Sequence, residues 1–280
     1  MKNTGFISLI EERSSRRSYR EGELPEELLA QIRLVLAECS EGPFGNRIEF
    51  HLIDREDLSR QKIKLGTYGF IQGARFFIAG SVKAGVPGFL DYGYALERII
   101  LEMTRLGLGT CWLGGTFDRS EFSRAINLPV DRCIPAVTPV GFSTAVRGIG
   151  DQIIRLSAGS AKRLPWSNLF FNHDTGHPLS LKDAGPLAPL FEAVRLAPSA
   201  SNKQPWRIFY EGKACHFSLI RTPGYRNKFL TADLQMVDIG IAMAHWDLAA
   251  QESGIPSKWV TDRPPDFPAE PEYIVTALFE

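Results

Sequence analysis

Apolar and polar positions along the 280-residue chain alternate between helical and strand periods. From Glu26 to Glu38, Leu28, Leu29, Ile32, Val35 and Leu36 recur at helical spacing, which predicts an amphipathic helix with Pro25 at its first turn. Ile48 to Ile53, Ala74 to Ala79 and Ala136 to Val140 read as strands, and Tyr92 to Leu106 as a long helix stopped by Gly107. Further on, Leu187 to Leu196 predicts a helix ending near Pro198. Trp206 to Tyr210 and Ala214 to Ile220 predict a hairpin turning at Glu211-Gly212-Lys213. Met236 to Glu252 reads as a helix stopped by Gly254, Tyr273 to Phe279 as the last strand, 148–182 as a linker and 264–268 as an extended loop.

The elements repeat. A shift of 160 carries Leu36-Ala37 onto Leu196-Ala197 and Arg47-Ile48-x-Phe50 onto Arg207-Ile208-x-Tyr210. A shift of 147 carries Asp91-x-Gly93-x-Ala95 onto Asp238-x-Gly240-x-Ala242, Leu101 onto Leu248, Gly107 onto Gly254 and Trp112 onto Trp259. A shift of 138 carries Val137-Thr138 onto Val275-Thr276. The common order predicts two similar units fused in one chain, 1–165 and 166–280, the second with shorter connections.

Composition narrows the class. Lys+Arg and Asp+Glu are both 32, so the formal net charge is zero, and 44% of residues are hydrophobic. This fits a globular chain and argues against nucleic acid as the main partner. No apolar run approaches the roughly 20 residues of a membrane span, and no secretory leader is visible at the N-terminus. Cys39, Cys111, Cys133 and Cys215 form no CxxC pair, which favours a reducing cytoplasm and argues against zinc. His173 and His177 stand four apart, but Gly176 and Pro178 oppose a helix there, so no metal site is expected.

Four segments could carry chemistry. Ser14 to Arg20 holds three arginines and three serines, suited either to grip a phosphate or to be a solvated basic stretch. Ala197 to Trp206, stiffened by Pro198 and Pro205, presents Ser199, Ser201, Asn202 and Gln204. It reads equally as a helix-to-strand turn or as a polar edge for a flat heterocycle. Gly107 to Phe117 is rich in glycine but follows a helix, so it fails the context test for a Rossmann or P-loop site. Ala161 to Pro165 adds a second cationic cluster.

Together these segments resemble the FMN-dependent nitroreductase family, in particular its fused two-lobed branch, the TM nitroreductase-like proteins. The family's R-x-S-x-R/K pattern is matched by Arg16-Arg17-Ser18-Tyr19-Arg20 and its P-S-x-x-N-x-Q-P-W loop by Pro198 to Trp206. Lys162-Arg163-Leu164-Pro165 agrees with it, and Leu113-Gly114-Gly115 is similar to the segment that passes the flavin N5 side. The order departs from the ordinary family, because the intact loop comes last. Its counterpart in the first half, Glu38 to Asn46, is degenerate, and Ser180-Leu181-Lys182-Asp183 stands where the second arginine motif belongs.

The resemblance implies an α+β fold, a three-layer α-β-α sandwich whose two pseudo-symmetric halves form an internal pseudo-dimer. It implies one FMN per chain, with NAD(P)H as electron donor and a ping-pong transfer to a nitroaromatic, quinone or similar small acceptor. Arg16, Arg17, Ser18, Arg20, Lys162 and Arg163 are then expected at the phosphate. Pro198, Ser199, Ala200, Asn202 and Gln204 are expected beside the ring, Leu113, Gly114 and Gly115 near N5, and Tyr68 close to the ring. No side chain is required as a catalytic acid, base or nucleophile. A monomer with at most weak self-association is expected. The alternatives are a specialised flavin reaction, such as reductive dehalogenation or flavin breakdown, and a flavin-binding or regulatory module without turnover.

Overall fold

The computed structural model describes residues 4–60, 62–144, 162–228 and 231–279. The part of the expected linker from 148 to 161, with Ala161 of the second cationic cluster, lies outside them. Two sheets flank a helical layer. The first contains β1 (Glu49–Asp54), β2 (Phe76–Lys83), β3 (Gly109–Thr110), β4 (Arg132–Cys133) and β5 (Val137–Gly141). The second contains β6 (Phe170–Asn172), β7 (Trp206–Glu211), β8 (Ala214–Leu219), β9 (Ser257–Val260) and β10 (Glu272–Phe279). The strand order is β1-β2-β5-β3 in one, with β4 on β2, and β6-β7-β8-β10-β9 in the other. Without β4 and β6 the two orders correspond strand for strand, and all those neighbours are antiparallel. β6, carried by the segment expected as a linker, pairs parallel with β7.

The helices are α1 (Phe6–Glu12), α2 (Glu26–Glu38), α3 (Arg55–Arg60), α4 (Val86–Arg105), α5 (Arg119–Ala125), α6 (Ala188–Leu196) and α7 (Leu234–Ser253), besides shorter helical turns. α7 is buried along nearly its whole length, as expected of a helix that is apolar all round. Asp233 caps its N-terminus by accepting from Gln235 and Met236 N–H, and Gly254 ends it in the left-handed conformation. α4 starts six residues before the expected Tyr92. Val86-Pro87-Gly88 reads as a breaker, yet proline sits comfortably in a first turn, where its missing N–H costs nothing.

α4 and α7 meet at two glycines. A Cβ on Gly93 would overlap the Val237 carbonyl, and one on Gly240 would overlap the Leu90 carbonyl. Val237 and Gly240 follow Leu90 and Gly93 by 147 positions, so the contact is reciprocal. One core joins both helices to Phe76, Ile78 and Val82 of the first sheet and to Ile208, Phe217 and Val275 of the second. On the other face of the first sheet, Phe77, Ala79 and Val137 pack with Leu58 of α3 and Phe122 of α5. The first sheet thus lies between helical layers, as an α-β-α sandwich requires. The second departs from that expectation. Its outer face is covered by the 261–271 segment, whose Phe267 lies 5.3 Å from both Phe209 and Tyr273.

Trp112 and Trp259, which the shift of 147 relates, each hydrogen-bond a carboxylate of a long helix, although the two carboxylates are not themselves related by that shift. Trp112 Nε1 donates to Glu97 at 2.6 Å, and Trp259 Nε1 donates to Asp247 at 2.8 Å, where Tyr94 also donates at 2.9 Å. Burial raises the Asp247 carboxyl to about 6 against the lowering effect of those two hydrogen bonds. The folded value exceeds the unfolded value of about 3.9, so the group's contribution is fully present below about pH 4 and is lost as pH rises through about 6. Asp247→Asn keeps an acceptor for both donors and removes the buried charge. Urea unfolding should find it more stable than the unaltered chain by up to about 3 kcal/mol at pH 8 and by much less at pH 4. An equal difference at both pH values would refute this reading.

Candidate functional site

A cavity of about 470 Å³ opens between the two sheets' loops, inside the roughly 300–1,000 Å³ usual for small-molecule sites. One wall comes from the start of the chain. After α1 the backbone runs extended, with Arg16 N–H donating to the Thr110 carbonyl at 2.8 Å, and Tyr19 and Gln72 exchanging bonds with the same stretch at 2.9 Å. Arg13, Ser14, Ser15 and Arg17 line the cavity, whereas Arg16, Ser18 and Arg20 do not. The basic run contains R-x-S-x-R twice, three residues apart, and the cavity takes the earlier copy, Arg13-x-Ser15-x-Arg17. The copy expected at the phosphate from the sequence was the later one, Arg16-x-Ser18-x-Arg20. Arg13, Ser15 and Arg17 stand two apart in a stretch held extended by the pairing of Ser15 with Thr110, so their side chains share a side.

The opposite wall is the 198–204 loop, where Pro198, Ser199, Ala200, Ser201 and Asn202 line the cavity. Ser201, Asn202 and Gln204 all have positive φ (52°, 53° and 48°), a strained choice for residues other than glycine. The strain is held by hydrogen bonds. Ala200 N–H donates to Asp238 Oδ1 at 2.8 Å, Gln204 N–H to Ser199 Oγ at 2.8 Å, and Leu164 N–H to Gln204 Oε1 at 2.8 Å. Arg163 donates to Asn202 Oδ1 at 3.0 Å and to the Leu196 carbonyl at 3.0 Å, while Asn202 Nδ2 donates to the Lys162 carbonyl at 2.9 Å. The expected ring-side residue Gln204 and the expected phosphate residue Lys162 therefore lie behind the cavity and position Asn202 and Arg163. Burial first, then Arg13 and Arg195, push the Arg163 guanidinium down to about 10, so it stays charged at neutral pH among other cations.

The floor is Cys111 to Thr116, including the expected Leu113, Gly114 and Gly115. Leu113 is tied to Val137 by a pair of backbone hydrogen bonds, and Arg119 Nη2 donates to the Gly114 carbonyl at 2.6 Å. A Cβ on Gly114 would press into Leu234, itself part of the lining. Tyr68, expected near the ring, is 68% exposed and outside the cavity; Phe70 lines it instead.

Arg13, Glu97, His245 and Asp238 were not singled out from the sequence as residues of the site. Arg13 Nε lies 3.8 Å from Glu97, which also meets His245 Nε2 at 3.0 Å. Asp238 accepts one hydrogen bond through Oδ1, while its Oδ2 is buried without a partner. Burial pushes this carboxyl well above its ordinary range. Its counterpart Asp91 instead receives three hydrogen bonds, from Phe44 N–H, Asn46 N–H and Asn46 Nδ2, at 2.8–2.9 Å. Charged residues inside α4 and α7 read as ordinary helix content, and only the packing of the two helices shows what they face.

An α+β scaffold with a cation-lined cavity between two related sheets defines a class of small-molecule-binding protein. Residues 6–250 match the family model described as "Putative TM nitroreductase", and the chain belongs to that family. The crystal structure of a putative nitroreductase from Thermotoga maritima is similar to it over 99% of this chain and 95% of that one, at 21% identity and a TM-score of 0.64, which is a likeness of fold. A nitroreductase family protein from Clostridium novyi aligns with 53% of this chain and 91% of its own (18% identity, TM-score 0.43). An FMN-dependent nitroreductase from Clostridium difficile aligns with 50% and 89% (20% identity, TM-score 0.40). No curated protein matches the chain.

Proposed function

We propose that the chain is an FMN-dependent oxidoreductase of nitroreductase type that holds one FMN between two halves arranged as an internal pseudo-dimer, 1–165 and 166–280. The observation that carries this reading is the shared cavity, to which Arg13, Ser15, Arg17 and Arg163 come from the first half and Pro198 to Asn202 from the second. The reciprocal packing of Gly93 and Gly240 supports the pseudo-dimer.

The residues present fit FMN. A phosphate dianion needs converging forked donors, and the half-buried Arg163 and the buried side chain of Arg13 supply them, Arg13 with an Nε that no hydrogen bond satisfies. A flat ring needs a surface to lie on, and the backbone of Gly114 and Gly115, with Leu234 against Gly114, is part of the lining. The ring's polar edge needs donors and acceptors, and Asp238, whose carboxyl burial pushes well up, has a buried Oδ2 without a partner to offer that edge. FMN when bound supplies reversible hydride acceptance from NAD(P)H and its delivery to a small acceptor such as a nitroaromatic or quinone. The protein's part is to anchor the phosphate, fix the ring against 112–116 and leave one face open.

A balanced net charge argues against nucleic acid as a partner, and no helix among the described residues is long and apolar enough to cross a membrane. With the ancestral interface inside one chain, the protein works as a monomer and, by its cysteine content, in the cytoplasm. Steady-state oxidation of NADH and NADPH by the FMN-loaded chain, with a quinone or a nitroaromatic as acceptor, should give the parallel double-reciprocal lines of a ping-pong mechanism. Absence of oxidation with either donor would overturn the oxidoreductase reading and favour a flavin-binding module.

A further inference from the structure

On the outer face of the second sheet, away from the cavity, His173, Glu211 and His216 place one ligand atom each within 4.8 Å of one another. His173 directly follows β6, Glu211 ends β7 and His216 lies on β8. Asp266, from the 261–271 segment, reaches the same point. The separations are 3.3 Å from His216 Nε2 to Glu211 Oε1, 3.4 Å from His173 Nε2 to Asp266 Oδ2, and 3.8 Å from His173 Nε2 to Glu211 Oε2. They are long for charge-assisted hydrogen bonds, which run about 2.7–2.9 Å. They are close to the roughly 3.3 Å edge of a tetrahedron whose centre is about 2.0–2.1 Å from each ligand.

Proton counting points the same way. Tyr273 Oη donates its single hydrogen to the Asp262 carbonyl at 2.9 Å, because a carbonyl only accepts. The 2.9 Å contact between Tyr273 Oη and Thr276 Oγ1 must then use the threonine's hydrogen. Thr276 Oγ1 is left to accept from His216 Nδ1 at 2.7 Å. A neutral His216 then carries its hydrogen on Nδ1 and turns a bare Nε2 lone pair toward the Glu211 carboxylate. Two acceptors facing each other need a cation between them, a proton or a metal ion, and the 3.3 Å separation is wider than the 3.0 Å of the proton-bridged His245 and Glu97. His216 Nε2 makes no hydrogen bond, although it is buried, and the two imidazole side chains are only 3% and 2% exposed. A hydrogen-bonded partner on the far ring nitrogen is also the usual way a metal-binding histidine is oriented.

We propose that His173, Glu211 and His216, with Asp266 able to complete the set, bind a divalent transition ion of the zinc class. Two imidazoles with carboxylates suit Zn²⁺ and disfavour the all-oxygen ions Mg²⁺ and Ca²⁺. The ion would pin β6 and the 261–271 segment to the hairpin of β7 and β8. The sequence hid this site because its histidines are 43 positions apart (216 − 173), whereas the pair that drew notice, His173 and His177, does not converge.

The test is a Zn²⁺ titration of the metal-free chain by calorimetry, with Mg²⁺ and Ca²⁺ as comparisons. About one Zn²⁺ per chain should bind, roughly micromolar or tighter, and the thermal unfolding midpoint should rise with Zn²⁺ but not with Mg²⁺ or Ca²⁺. His173→Ala with His216→Ala should abolish both effects. Thr276→Val, nearly isosteric and outside the ligand set, should weaken Zn²⁺ by about 10–100-fold through loss of the orienting bond, which keeps the test open if the double variant does not fold. Less than a tenth of an equivalent bound by the unaltered chain, or unchanged Zn²⁺ affinity in either variant, would overturn the proposal. FMN content plays no part in any readout.

Discussion

Arg17→Ala combined with Arg163→Ala should purify colourless, whereas Arg16→Ala combined with Arg20→Ala should stay yellow. Arg17 and Arg163 line the cavity from two separate segments of the first half, and Arg16 and Arg20 lie outside it. Each charge-assisted hydrogen bond to a phosphate contributes about 1.5–3 kcal/mol. Loss of two predicts FMN binding weaker by about 10²–10⁴-fold, readable by quenching of flavin fluorescence during titration. Arg163 also holds Asn202, so Arg163→Lys should fall between, keeping the charge but not the fork. The opposite pattern of colour would return the motif to the frame at 16–20.

Glu97→Ala should destabilise the fold by about 3–5 kcal/mol, the usual consequence of breaking a buried ion pair. Glu97 has no exposed side-chain surface and neither has His245. Ala193 O can only accept, so His245 Nδ1, 2.8 Å away, carries a hydrogen. Its Nε2 faces Glu97 Oε1 at 3.0 Å, and that contact therefore contains a proton shared between imidazole and carboxylate. Removal of the carboxylate leaves the Trp112 indole N–H without its acceptor and takes away the negative charge 3.8 Å from Arg13 Nε. Glu97→Gln retains an acceptor for Trp112 and should cost less. Urea unfolding measures both, and a loss below about 1 kcal/mol for Glu97→Ala would contradict the assignment. Trp112 and Arg13 also line the cavity, so the same substitution should weaken cofactor binding in whatever folded fraction remains.

What the sequence revealed follows from the range of the interactions. α2 is found where its periodicity predicts it, and the long strands lie within a few residues of expectation, because their signals are local. The repeat located Asp91, Gly93, Asp238 and Gly240, since helices that pack through backbone keep glycine at the crossing. α1 and β9 were not expected. α1 is a short helix stabilised by contact with α4 and α7, and β9 is a four-residue edge strand completed by β10.

The site was legible where it is a loop with a distinctive order of residues. The basic run holds its pattern in two overlapping frames, and the pairing of Ser15 with Thr110, which no local spacing announces, accompanies the copy that lines the cavity. The Asn202 and Gln204 side chains were expected at the ring. Both fasten Lys162-Arg163-Leu164 to the loop, a contact that no spacing in the chain discloses, and Asn202 also lines the cavity.

The central claim is that one cavity, built jointly by the two halves of a single chain, holds one flavin. Reconstitution with excess FMN, followed by gel filtration with light scattering and flavin absorbance, reads stoichiometry and mass together. One FMN on a particle of about 31.2 kDa is the result this account predicts. Two FMN per chain, or one shared by two chains, would contradict it.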